Sequence, residues 1–373
     1  MAVFDEYGKE KWSLANWFFG IENPVYHLCS VPNKANLFEE NKFKYINIFP
    51  KTLHVFNKDK KFSKEVDKKV QKIWNHINIV WCSRKKDQFE YIKKWLSFVI
   101  TGTRRMKTAI YLKSDQGVGK SCIVEFIENK VLRSGLVFRS SDVSILGGRF
   151  NSPLQGKLLY VAEELPCSDK HDWHQMDGKL KNYITDDKIS IEKKGKDHIK
   201  INNTISFIIN TNNDYAIKMG TDDRRYFAPD VSSELKDNAK YFEELFEIFN
   251  SDEVGEAFYH SCWNIVLNCS KFNEKAEMPT TDTKKENISD NALSIYQFIK
   301  DKYILKGKPL NKKYSDFYQE YIDYCNDFSK KYKNCYVFKK IVCAKKLISI
   351  NINYVQKCTK HNGQNCIHIL MQN

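Results

Sequence analysis

Apolar positions along the chain follow two periods, and these locate most of its elements. Between Ser63 and Val99 they recur at helical spacing, at Val66, Val70, Ile73, Trp74 and Ile77 and then at Phe89, Ile92, Trp95, Leu96 and Val99. That predicts two helices able to pack as a small bundle. The unbroken run Ala109-Ile110-Tyr111-Leu112 reads as a buried strand. Past Gly117 and Gly119 the helical period returns at Ile123, Val124, Phe126, Ile127 and Val131. Leu136-Val137-Phe138 is a short strand candidate, and Gly147-Gly148 and Asn151-Ser152-Pro153 mark loops. Leu158 to Val161 reads as another buried strand, and Trp173 to Tyr183 as a helix. From Lys188 to Ile201, Ile189 and Ile191 alternate on one arm and Ile199 and Ile201 on the other, predicting a hairpin about Lys194-Gly195. Ile205 to Ile209 then forms a strand ending in Asn210-Thr211-Asn212.

The flanks are less regular. Met1 to about Lys60 has aromatic clusters (Trp12, Trp17, Phe18, Phe19) and a strand-like piece, Tyr45–Phe49, ahead of Pro50. It reads as a loop-rich lead-in. Beyond about Asn291, helix-like runs (Leu293, Ile295, Phe298, Ile299, Tyr303; Tyr314, Phe317, Tyr321) precede strand-like Ile348–Tyr354 and Ile367–Ile369 around His361-Asn362-Gly363. Helices followed by a two-stranded piece suit a winged-helix module, with a small packing or oligomerisation domain as the alternative. The pattern as a whole is α/β, divided into residues 1–100, 101–275 and 291–373.

Composition sharpens this picture in three ways. With 373 residues, 42% apolar and 24 Phe, 20 Tyr and 7 Trp, the chain can build sizeable cores. Its net charge of +14 is uneven: from Lys300 to Asn373 there are 15 Lys and no Arg against 5 acidic residues, a net of +10. Such a balance suits a nucleic-acid partner, or reflects a lysine-rich coding bias on solvated faces. The 11 cysteines include no CxxC pair, which argues against a zinc site or disulfide framework and for a reducing, intracellular compartment, the cytoplasm or nucleus of a host cell. No secretory signal or membrane-spanning run is visible, so secretion and membrane partners are not expected.

The candidate chemistry centres on SDQGVGKS, Ser114 to Ser121. Strand, glycine loop, Lys-Ser and helix are the context a phosphate-binding loop requires. Glycines let several backbone N–H groups face one anion, and the helix N-terminus adds its dipole. Gly117, Val118, Gly119, Lys120, Ser121 and Cys122 are therefore the expected nucleotide-binding residues. Ser114 stands where GxxxxGK[ST] begins with Gly, and a glycine turn before an ordinary helix is the alternative. Glu163 and Glu164 end the strand begun by Leu158. By order, Glu163 is assigned with Ser121 to a Mg²⁺ ion and Glu164 to the attacking water; two exposed glutamates are the alternative. Amides at Asn210 and Asn212 can orient that water. Arg224 and Arg225 can stabilise charge in a neighbouring subunit's site, or belong to a surface Asp–Arg network. Lys193, Lys194, Lys196 and His198 at the hairpin tip suit a nucleic-acid backbone, or a solvated turn. Arg104, Arg105 and Lys107 read as a solvated turn or a nucleotide contact.

In order, SDQGVGKS, KLLYVAEEL, the IEKKGKDHI hairpin, ISFIINTN and DDRRY resemble a superfamily 3 helicase. More narrowly they resemble the helicase part of the primase-helicases of large DNA viruses, virophages and related plasmids and phages. FNSPLQGK and KAEMPTTDTKKENI share that look, and the resemblance covers roughly Tyr45 to Asn291. It implies an AAA+-like P-loop NTPase core, ATP and Mg²⁺ as cofactors, and a homohexameric ring moving along single-stranded or forked DNA. It makes Lys120 and Ser121 the Walker A pair, Glu163 and Glu164 the Walker B acids, and Asn212 the sensor. One of Arg224 and Arg225 becomes the arginine finger, and Lys194 a DNA contact. A primase domain is often fused upstream in such relatives; too few residues precede the core here, so priming is not expected of this chain and a partner primase or polymerase is. The resulting expectation is an ATP-dependent replicative DNA helicase. Its alternatives are an AAA+ ATPase acting on RNA or in packaging or remodelling, and a non-catalytic, nucleotide-switched DNA-binding replication protein.

Overall fold

The computed structural model describes residues 2–4, 10–13, 26–142, 144–147, 150–163, 171–195, 197–212, 217, 219–220, 223–290, 294–306, 310–327, 354–361 and 364–371. The chain divides into two compact units, residues 1–217 with 224–284, and residues 218–223 with 285–373.

The first unit opens with strands β1 (Ala2–Phe4) and β2 (Glu10–Ser13), which pair antiparallel. A second small sheet has β3 (Tyr26–Cys29) parallel and β4 (Leu37–Glu40) antiparallel to the middle strand β5 (Phe43–Asn47). The strand-like piece at Tyr45–Phe49 overlaps β5, while the other four strands of the loop-rich lead-in were hidden in its sequence. The β4–β5 turn uses Asn41 and Lys42, both at positive φ (53° and 67°), a primed turn made without the glycine that would announce it.

Helices α1 (Lys64–His76) and α2 (Lys86–Thr101) follow. Ser63 caps α1 by accepting from the Val66 N–H at 3.2 Å, and a π-helical turn, Ile77–Trp81, prolongs it. Next come β6 (Ala109–Lys113), α3 (Lys120–Phe126) with its π-helical continuation Ile127–Leu132, β7 (Val137–Ser140), α4 (Ser144–Gly147) and β8 (Leu159–Glu163). They are followed by α5 (His171–Thr185), the hairpin β9 (Lys188–Ile191) and β10 (Ile199–Asn202), β11 (Ser206–Thr211) and β12 (Tyr226–Phe227). Helices α6 (Ala239–Phe249) and α7 (Asp252–Asn268) close the unit.

Five strands form a parallel sheet in the order β12-β6-β11-β8-β7. Strands buried on both faces explain the continuous apolar runs. Val66, Trp74 and Trp95 of the two early helices share one apolar core with Ile110, Leu112 and Val161 of the sheet. Trp74 stacks on Phe258 of α7 at 4.6 Å, and Phe126 on Phe249 at 4.7 Å.

The second unit contains α8 (Asp282–Asp290) beyond Lys284, α9 (Ser294–Ile299), β13 (Leu310–Lys313), α10 (Tyr314–Asp327), β14 (Tyr354–His361) and β15 (Gln364–Met371). Phe298 of α9 packs on Phe317 (5.2 Å) and Tyr321 (5.6 Å) of α10. The expected two-stranded piece is a three-stranded antiparallel sheet, β13-β15-β14. β13 reads LNKK, a segment with a single apolar residue and so no alternation to detect. Ile348 to Asn353, Asn362 and Gly363 lie outside the described residues. Among the described residues, no helix is long and apolar enough to cross a membrane.

Candidate functional site

The C-terminal ends of β6, β8 and β11 open on one cavity of about 510 Å³, where an open parallel sheet takes its ligands. It is lined by Gly117, Val118, Gly119, Lys120, Ser121 and Cys122 from the glycine loop and α3, with Gln116, Ser141, Glu163, Asn210, Thr211 and Asn212. The fold therefore gathers on one wall residues that the sequence spreads over nearly a hundred positions.

The loop adopts this course because Gly117 and Gly119 take positive φ (81° and 93°), a region open to glycine. A Cβ at Gly119 would also lie 2.8 Å from the Phe242 ring and 3.0 Å from His76 Cε1. Ser114 is absent from the positive-φ residues, which removes the need for glycine there. Its carbonyl instead accepts from Lys120 Nζ at 2.8 Å. Lys120 is buried at 7% exposure and donates further to the Thr211 carbonyl (3.3 Å) and Asn212 Oδ1 (3.2 Å). Burial pushes its amine down to about 8, against the opposing pull of Asp115. Among the described residues no carboxylate forms an ion pair with it.

Glu163 is half-buried, and Arg139 of β7 donates to its Oε1 from Nη2 (2.8 Å) and Nε (3.3 Å). Arg139 also reaches Glu128 at 3.4 Å. This arginine, which the sequence reading passed over, orients the acid expected to meet a cation. Asn210 sits in register with Glu163 on one side and Leu112 on the other. Its side chain is 5% exposed, and among the described residues neither its amide nitrogen nor its amide oxygen has a partner. Buried, unpaired and on the cavity wall, it is a stronger ligand candidate than its neighbour Asn212, which is exposed. Ser121, Glu163 and Asn210 carry oxygen atoms of the kind that could ligate a Mg²⁺–triphosphate complex.

Other expected residues fall elsewhere. Glu164 and Lys196 lie outside the described residues. Arg225 precedes β12, and its carbonyl accepts from the Ala109 N–H at 2.7 Å, at the start of β6. That places the Arg224-Arg225 backbone about 16 Å from the loop at the other end of the strand, so the pair does not enter this chain's own cavity. At the hairpin, Ile199 pairs with Ile191 and Ile201 with Ile189, and Gly195 has φ 72°. Lys194 is exposed, Lys193 half-buried, and His198 Nε2 lies 3.4 Å from Glu192. Asn151, buried, clamps the β9 arm of the hairpin by donating to the Ser190 carbonyl and accepting from the Glu192 N–H, each at 2.8 Å. Arg105 is neither in a solvated turn nor at the nucleotide site. Its guanidinium donates to the carbonyls of Tyr183, Ile184 and Thr185 at 3.1–3.2 Å, capping the C-terminus of α5. Arg104 stacks on Phe98 at 4.3 Å.

A family model described as a family of unknown function, DUF5906, matches residues 112–225, the stretch from the glycine loop to the arginine pair. The chain is 26% identical over 280 residues to the "DNA Primase-polymerase" of Nitratiruptor phage NrS-1, covering 71% of this chain and 36% of the relative. It thus spans about a third of the length of the curated relative it matches. Among solved structures, the A form apo structure of the NrS-1 C terminal region aligns with a TM-score of 0.64 at 18% identity, covering 95% of this chain and 87% of that one. The apo structure of the NrS-1 C terminal region (305–718) aligns at 0.62 and 17%, covering 94% and 86%. These likenesses are of fold. The name of the relative overturns the expectation of an ATP-hydrolysing replicative helicase and of superfamily 3 membership. The physical reason is plain: a strand, a glycine loop and a carboxylate two strands away in the sheet are local features, and they do not select unwinding over other work on DNA. What the comparisons support is similarity to a phage replication protein with a mixed α/β fold around a parallel sheet.

Proposed function

We propose that this chain is the nucleotide-binding module of a phage-type DNA primase-polymerase system. In this reading it holds a nucleoside triphosphate, ATP being the first candidate, as a Mg²⁺ complex at the C-terminal ends of the sheet. The core is read as an AAA+-like P-loop fold. The single observation that carries the reading is Lys120: a buried amine, partnered by neutral oxygens, at the mouth of a glycine loop in a cavity large enough for a nucleotide. A phosphate supplies the negative charge such an amine lacks. Ser121 and Glu163 would hold the cation, with Arg139 fixing the carboxylate. The basic hairpin and the lysine-rich second unit, read as winged-helix-like, would hold single-stranded DNA.

Titration calorimetry of the full chain with ATP and dATP, each with and without Mg²⁺, tests this. Binding that depends on Mg²⁺ and falls at least about a hundredfold in Lys120→Ala is expected, because a charge-assisted phosphate contact is removed. Equal affinity in the variant overturns the proposal. Added to a primer-synthesis reaction on single-stranded DNA, the chain is expected to change product yield only in the presence of a nucleotide it binds.

A further inference from the structure

We propose that His76 is a positioning residue of the phosphate loop: held in one neutral tautomer by Tyr241, it fixes the Gly119 carbonyl and so aims the Lys120 N–H at a bound phosphate. This rests on the nucleotide reading above and deepens it.

His76 ends α1 and is completely buried. A buried imidazole is costly unless both ring nitrogens are satisfied. Here Nε2 lies 3.0 Å from the Gly119 carbonyl oxygen, and Nδ1 lies 3.0 Å from the Tyr241 hydroxyl on α6. A carbonyl only accepts, so Nε2 carries the proton, and Nδ1 accepts from the tyrosine O–H. The Cys122 thiol donates to the same carbonyl at 3.1 Å, so both lone pairs of the Gly119 oxygen are engaged. The imidazole and phenol ring planes are nearly parallel, with centroids 5.7 Å apart.

The consequence follows from the geometry of one peptide unit. The chain has no cis peptide bond among its described residues, so the Gly119 carbonyl and the Lys120 N–H point in opposite directions from a rigid plane. Holding the oxygen against His76 turns the N–H the other way. Lys120 is the first residue of α3, so this N–H is one of those that a helix leaves without an internal partner. Gly119 and Lys120 both line the cavity. No methyl fits between the loop and its support, since a Cβ on Gly119 would meet the His76 and Phe242 rings. The loop therefore rests on a shaped floor made by α1 and α6, elements that contribute no residue to the cavity wall.

The test pairs a spectroscopic readout with binding. In the full chain labelled with ¹⁵N-histidine, His76 is expected to show the Nε2–H tautomer; the Nδ1–H tautomer overturns the inference. Mg²⁺–ATP affinity is then measured in His76→Leu, His76→Gln and Tyr241→Phe. Leucine is expected to weaken binding at least about tenfold, the worth of one well-aimed hydrogen bond. Glutamine, whose amide N–H can reach the Gly119 carbonyl, is expected to stay within about threefold of wild type, and Tyr241→Phe to fall between the two. If His76→Leu loses thermal stability but keeps wild-type affinity, the residue is only structural and the inference is wrong. Should His76→Leu not fold, the other two variants decide, and equal affinity in both overturns it. A wild-type chain that binds no triphosphate overturns the nucleotide reading itself, whereas wild-type binding with an indifferent leucine variant overturns this inference alone.

Discussion

Where the strands of the parallel sheet begin, Arg105, Thr108, Asn203 and Ser206 all have their polar side chains engaged within the fold. Arg105 caps three carbonyls of α5, and Thr108 Oγ1 accepts from Trp95 Nε1 at 3.0 Å. Ser206 Oγ accepts from the Met106 N–H, also at 3.0 Å. Asn203 donates to the carbonyls of Tyr183 and Asp186 and accepts from the Ile205 N–H. Where the same strands end, Asn210 has two amide atoms without a partner among the described residues, Lys120 is buried against neutral oxygens, and two glycines hold positive φ. These four side chains serve the fold at one end, while the other end keeps buried polar groups that a ligand would satisfy under the proposed function.

Three measurements can break this contrast. The largest expected effect is at the end where the strands begin. Arg105→Ala leaves three helix-end carbonyls bare and is expected to cost about 3 kcal/mol of folding stability, read as a lowered thermal midpoint, with Mg²⁺–ATP affinity unchanged. A parallel loss of affinity would show that the two ends are coupled. Next is the pH response of the open end. Lys120 titrates near 8 in the ligand-free chain because burial favours its neutral form. A bound phosphate favours the charged form, so affinity should be level below about 8 and weaken above it, by up to about tenfold per pH unit. A flat calorimetric profile through that range would remove Lys120 from the phosphate. The smallest is Asn210→Leu. Replacing an unsatisfied buried amide by an apolar side chain should stabilise the ligand-free chain by about 1 kcal/mol while weakening triphosphate binding. Destabilisation instead would mean that the amide serves the fold.

Much of this architecture was legible because it is local. The run Ala109–Leu112, the glycines after it and the helical period from Ile123 specify strand, loop and helix within a few turns of chain. The hairpin was legible for the same reason, its alternating isoleucines flanking Lys194-Gly195. Strands such as Leu37–Glu40 and Leu310–Lys313 were not, since short, half-polar edge segments take their conformation from their partners. At the site, Arg139 and His76 gave no motif. Their importance lies in what they face, across 24 positions for Arg139 and Glu163 and 43 for His76 and Gly119. Arg105 misled for the opposite reason: a basic residue before a strand looks solvent-facing until the end of α5 is brought against it.

Consecutive residues alone specify a glycine loop between a buried strand and a helix, with a carboxylate-tipped strand after it. These depend on backbone freedom and hydrophobic period, which are written in consecutive residues. Packing settles that Glu163 answers to Arg139, that Asn210 rather than Asn212 is buried at the cavity wall, that Arg224 and Arg225 sit at the far end of the sheet, and that His76 lies against the Gly119 carbonyl. Each is a matter of which polar atoms find partners, and partners are chosen by packing, not by order along the chain.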